Sequence, residues 1–170
     1  CCCYKAEFML TPYDILGLCH GLKTSTWTFL ARYARIAHDE RSGVPRCWLD
    51  FTRQQSGMDE EWSMSCPFLD VDGDEFVCRV YPFRPGRCRL YPMVRFEDGE
   101  RGPRFFFGEV RDRAKETTKK WTLAEWIEYQ GLDPYFRENN RFLVQVRALT
   151  EAKAAWPEEF LQLLAKLWYD

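Results

Sequence analysis

The residues whose type and spacing point most directly to chemistry are three cysteines in one short stretch, Cys66, Cys78 and Cys88, within CPFLDVDGDEFVCRVYPFRPGRC. Thiolates are soft ligands that select zinc, iron or iron–sulfur clusters over magnesium, calcium or manganese. Bringing such residues together requires turns, and Asp72-Gly73 between two apolar runs predicts a β-hairpin. With Val71, Asp72 and Gly73 as a three-residue loop ending in a G1 bulge, Asp70 opposes Asp74 and Cys66 opposes Cys78. Opposed Cβ atoms stand about 4.5–5.5 Å apart, which suits a shared metal about 2.3 Å from each sulfur. A two-residue loop would instead offset the two thiols onto opposite faces. Pro85-Gly86 predicts a second turn that returns Cys88 toward the hairpin.

Four arginines, Arg79, Arg84, Arg87 and Arg89, flank Cys78 and Cys88. Four thiolates around a divalent ion leave net negative charge, which nearby guanidinium groups stabilise, so these arginines are expected to support the metal from behind its ligands. A solvated basic loop is the alternative for any one of them. Arg84 precedes Pro85, which holds its backbone extended, and is expected to donate to a buried acceptor. The acidic run Asp70, Asp72, Asp74 fails as a calcium loop because the glycine falls at the fourth place and Tyr81 stands at the twelfth.

The elements LTPYD (Leu10 to Asp14), CPFL (Cys66 to Leu69), CRVYPFRPGRC (Cys78 to Cys88) and RLYP (Arg89 to Pro92) resemble the bacterial CxxCxxCC-type, YkgJ-like family of zinc- or iron-chelating domains. The later WIEYQGLDPYFRENN (Trp126 to Asn140) resembles the tail of some longer members. The resemblance implies that Cys66, Cys78 and Cys88 hold metal-ligand positions, joined by the cysteines before LTPYD, namely Cys1, Cys2 and Cys3. Three consecutive cysteines cannot all point at one metal from a regular backbone, so one or two of them are expected to ligate. The motif order also faintly resembles the iron–sulfur flagellin lysine methylases, although no adenosylmethionine-binding segment is evident.

The surrounding elements must position these residues. Thr11-Pro12-Tyr13-Asp14 predicts a helix start, with Thr11 as N-cap, Pro12 at the first position and Asp14 favourable at the positive end. Ile15, Leu16, Cys19 and Leu22 form its apolar face, on which Cys19 reads as core and His20 as surface. A second helix is expected from Thr24 or Ser25 through Trp27, Leu30, Tyr33, Ala34 and Ala37, with His38 at its end. Cys47 to Thr52 alternates as a strand, which puts Cys47 in the wrong element to join the thiolate set. Met93 to Phe96 and Arg104 to Val110 are expected to extend the hairpin sheet. Thr122 with Glu125 makes a capping box, Gly131 ends that helix, and two more amphipathic helices follow.

The 170 residues include seven Trp, eight Tyr and thirteen Phe, enough for one domain with a sizeable core. The expected fold is α+β and mainly helical, a small antiparallel hairpin sheet carrying the cysteine site packed on several helices. Residues 1–170 are expected to form a single domain, with 1–110 as the metal-site core and 111–170 as a helical C-terminal part. A net charge of −2 argues against bulk nucleic-acid binding, and no apolar run reaches the roughly 18–20 residues that span a bilayer. Eight cysteines could also form disulfides, but so aromatic a core does not need them, and metal-ready thiols imply a reducing, cytoplasmic setting. No Gly-rich phosphate loop, zinc-protease helix or G-x-S-x-G elbow is present. The chain therefore reads as a metal-binding protein with a zinc or iron centre, an iron–sulfur cluster included, and with an enzyme or electron-transfer component as the alternative. Its partner would be a protein or small molecule that the sequence does not identify.

Overall fold

The computed structural model describes residues 8–40, 42–51, 65–73, 75–98, 102–108, 119–152 and 156–169. The described elements run β1 (Met9–Leu10), α1 (Pro12–Leu22), α2 (Thr26–Tyr33), β2 (Ala34–His38), β3 (Pro45–Leu49), β4 (Leu69–Asp72), β5 (Glu75–Cys78), a 3-10 turn (Tyr81–Phe83), α3 (Gly86–Leu90), β6 (Met93–Asp98), β7 (Gly102–Phe107), α4 (Leu123–Tyr129), α5 (Asp133–Glu151) and α6 (Glu158–Tyr169). Half of the described residues are helical and the strands form small antiparallel sheets, an α+β arrangement. None of the described helices is long and apolar enough to cross a membrane.

Local signals decide most of the helix ends. Thr11 caps α1 and Thr122 caps α4, each in a reciprocal capping box with the residue three positions on, Asp14 and Glu125. Ser25 caps α2 by accepting from the Thr28 backbone N–H. The chain then departs from the helix expected through Ala37: α2 ends at Tyr33 and the chain enters β2, which pairs along its whole length with β3, from Ala34 opposite Leu49 to His38 opposite Pro45. The supposed helical stripe fails because Trp27 points to solvent at 73 % exposure while Phe29 is fully buried. Ladder partners in β3 outweigh a weak helical period over so short a segment.

β1, β3 and β2 form one three-stranded sheet in that order, while β4–β5 and β6–β7 are separate hairpins. The expectation that β6 and β7 extend the β4–β5 sheet is therefore corrected. α3 and the turns around it stand between the two hairpins in the chain and re-aim it.

One cluster of buried residues joins these parts. Leu10, Ile15, Leu18, Phe29, Val44, Phe68 and Val80 are at most 2 % exposed, and Tyr33 packs its ring 5.0 Å from that of Phe68. Phe142 and Val146 of α5 and Tyr169 of α6 belong to the same cluster. Tyr169 also donates to the Pro45 carbonyl at 3.5 Å, fastening α6 to the three-stranded sheet.

Candidate metal centre

The β4–β5 register differs from the one expected. Leu69 faces Cys78, Asp70 faces Val77 and Asp72 faces Glu75, which leaves two residues for the turn instead of three. Gly73 has φ of +60°, the left-handed conformation that primed two-residue hairpin turns require of their first residue. Cys66 does not oppose Cys78. It lies before the strand, where its carbonyl accepts from Leu69 N at 2.9 Å and turns the chain.

The segments bearing these two cysteines are nevertheless fastened together. Arg79 N donates to the Phe68 carbonyl at 3.0 Å, and Arg79 Nη2 donates to the Pro67 carbonyl at 2.7 Å. Cys66 is buried in the central cluster, and half-buried Cys78 and Cys88 pack against it. Cys88 sits mid-way along α3. Among the described residues, no three His, Cys, Asp or Glu side chains gather into a group that could hold a metal ion. The thiol donors fit zinc or iron by their chemistry, but the described residues do not by themselves complete a coordination set. Cys1, Cys2 and Cys3 lie outside the described residues.

Cys19 and Cys47 are core residues. Burial pushes the Cys19 thiol up and pushes Cys47 up to about 12, so both are held as neutral thiols inside the apolar cluster.

A polar network fixes α3 around Cys88. Asp14, 4 % exposed, accepts at Oδ2 from Thr11 N (3.0 Å) and Thr11 Oγ1 (2.7 Å), and at Oδ1 from Gly86 N, the first residue of α3 (2.8 Å). Burial raises the Asp14 carboxyl above its ordinary value, opposed by the Gly86 and Thr11 donors and by the charge of Arg89. Arg89 donates from Nε to Arg84 O (2.9 Å), from Nη1 to Gln130 O (3.1 Å) and from Nη2 to Pro82 O (2.6 Å). Its guanidinium also lies over the Tyr135 ring, 5.2 Å from the centroid.

Arg84 donates to Gln130 Oε1 at 2.6 Å and stacks over Tyr81 at 3.8 Å. Gln130 is only 6 % exposed, so the expectation of a buried acceptor for Arg84 is met, on an extended backbone before Pro85. Arg87 is exposed and lies over the Phe8 ring at 5.7 Å. Sequence reasoning missed Gln130, Tyr135 and the second role of Asp14. Their only signal was membership in the segments LTPYD and WIEYQGLDPYFRENN.

Gly86 owes its identity to this packing. A Cβ there would stand 2.9 Å from Tyr135 Cδ1 and 3.1 Å from Tyr135 Cβ, the latter fixed on α5. Gly86→Ala is expected to cost about 1–3 kcal/mol by overpacking, measured by urea denaturation. An unchanged midpoint would mean that α3 and α5 move apart at no cost.

A family model described as "CxxCxxCC: putative zinc- or iron-chelating domain" matches residues 1–122. The chain belongs to the CxxCxxCC family. No curated protein and no solved structure matches it. The CxxCxxCC match ends where α4 begins and takes in all seven described strands and α1 to α3. α5 and α6 lie beyond it, yet Tyr135 of α5 packs edge-on to Tyr13 of α1 at 5.1 Å, and the CxxCxxCC region shares its core with Phe142 and Tyr169.

Proposed function

We propose that this chain is a thiolate metal-binding module in which Cys66, Cys78 and Cys88, with at least one of Cys1, Cys2 and Cys3, hold zinc or iron, an iron–sulfur cluster included. The observation that carries this reading is the Arg79 clamp. It fastens the Cys66–Phe68 segment to the Cys78–Arg79 segment through two carbonyls, against the same cluster that Cys88 borders. Family membership supports metal chelation as such.

The length of the chain allows the N-terminal cysteines to join Cys66, Cys78 and Cys88. Phe8, the first described residue, lies beneath Arg87, the neighbour of Cys88. Five residues of extended chain, from Phe8 back to Cys3, span at most about 18 Å. Arg79, Arg84, Arg87 and Arg89 would offset the negative charge of a thiolate set, while Arg84 and Arg89 also hold α3 in place through Gln130. When bound, zinc in a closed four-thiolate set would be structural, whereas an iron–sulfur cluster would carry electrons. Metal-ready thiolates imply a reducing, cytoplasmic compartment.

Anaerobic purification followed by elemental analysis and a visible spectrum tests the proposal. One metal centre per chain is expected, coloured for iron–sulfur and colourless for zinc. Cys66→Ser, Cys78→Ser and Cys88→Ser should each lower metal content about tenfold or more, and Cys19→Ala should retain it. Full metal in all three serine variants, or equal loss in Cys19→Ala, would overturn the assignment.

A further inference from the structure

Away from the cysteines, the β6–β7 hairpin and the start of α4 line a half-open concave site of about 610 Å³. Its walls include Met93, Phe105, Phe107, Trp121, Leu123 and Trp126. We propose that this is a binding site for an uncharged, planar aromatic small molecule.

Three polar groups at the site are already engaged, Lys119 Nζ among them, which lies over the Trp121 ring 3.5 Å from its centroid. Thr122 Oγ1 donates to Glu125 Oε2 at 2.8 Å and accepts from Glu125 N at 3.2 Å in the α4 capping box. Trp126 Nε1 donates to the Leu90 carbonyl at 3.2 Å. With those groups engaged, a charged ligand or one that needs several hydrogen bonds would lose more water here than it could replace, which is costly, whereas an apolar one loses nothing.

Ring geometry sets the ligand's shape. Phe107 faces Met93 across the hairpin and Trp121 meets Trp126 edge-to-face at 5.6 Å, so the walls offer ring faces and edges for offset or T-shaped contact. The volume lies within the roughly 300–1,000 Å³ usual for small-molecule sites. The walls are anchored from behind, since Phe105 packs on Phe136 of α5 at 5.9 Å. Phe107 is 82 % exposed and Leu123 39 %, apolar surface that a bound molecule would cover.

The test is titration of the full chain with N-phenyl-1-naphthylamine, a neutral aromatic dye, read by energy transfer from tryptophan, with the oligomeric state followed by analytical ultracentrifugation. One saturable site of micromolar affinity is expected, indifferent to added salt. Phe107→Ser should weaken it at least about tenfold, as burial of one aromatic side chain is worth a factor of that order. Leu123→Asn should weaken it as an independent second variant. Leu167→Ser, on an exposed apolar position of α6, should leave it unchanged. Non-saturating uptake, uptake unaffected by Phe107→Ser and Leu123→Asn, or a dimer that Phe107→Ser dissociates and that excludes the dye would each overturn the proposal, the last by assigning the face to a second copy of the chain.

Discussion

Removing the metal by chelation is expected to lower the melting temperature of this chain by about 10 °C or more. Structural metal binding is worth up to roughly 10–16 kcal/mol in small zinc domains, and a domain of this length loses about 2–4 °C per kcal/mol. The full value is not expected here, because buried Phe29, Phe68, Ile15 and Val80 also contribute apolar burial to the core. What the metal would add is a tie between distant parts of the chain. Phe8 stands between the N-terminal cysteines and α1, its carbonyl accepts from Leu49 N at 2.7 Å, and its ring lies under Arg87. Fixing Cys1–Cys3 on Cys66, Cys78 and Cys88 would hold that junction, so hydrogen exchange at Leu49 N should accelerate on chelation along with the fall in melting temperature. An unchanged melting curve after verified metal removal would show that the core stands without the centre.

How far the sequence disclosed this arrangement depended on the range of each interaction. Capping boxes at Thr11 and Thr122 were legible because both partners lie within one helical turn. The β4–β5 hairpin was legible from Asp72-Gly73, but its register was not. A glycine with positive φ suits both a G1 bulge and a primed two-residue turn, and the choice rests on the ladder beyond, where Leu69 meets Cys78 and Arg79 N meets Phe68 O. Ala34 to His38 misled because a weak helical period continues past Tyr33, whereas the strand is stabilised by β3 pairing that no local pattern announces. Cys19 read correctly as core from the apolar face of α1, and the separation of Cys47 from the thiolate stretch matched its deep burial in β3. The cysteine stretch named the chemistry. It could not name Gln130 and Tyr135, which reach Arg84 and Arg89 from 41 to 51 residues away.

Asp14 is the strongest instance of such hidden range, and replacing it should have the largest effect of any single polar substitution. Its Oδ2 closes the α1 capping box while its Oδ1 holds Gly86, 72 residues later, at the start of the helix that carries Cys88. Asp14→Ala leaves Thr11 N and Gly86 N without their acceptor in a buried place. At about 1–3 kcal/mol for each stranded donor, a loss of about 3 kcal/mol or more is expected in urea denaturation. Asp14→Asn removes the charge but keeps one carbonyl oxygen, so it can serve Thr11 or Gly86 and presents an amide N–H₂ to the other, giving an intermediate loss. The pH dependence separates charge from hydrogen bonding. Burial raises the Asp14 carboxyl in the folded chain above its ordinary value of 3.8. A carboxyl raised in this way contributes stability that is whole below the unfolded value and is lost as pH rises through the folded value. The stability gap between the native chain and Asp14→Asn is therefore expected to be widest near about pH 4 and to narrow toward neutrality. A gap that widened with rising pH would mean that the Gly86 and Thr11 donors and Arg89 outweigh the cost of burying the charge, making Asp14 a carboxylate stabilised by its setting.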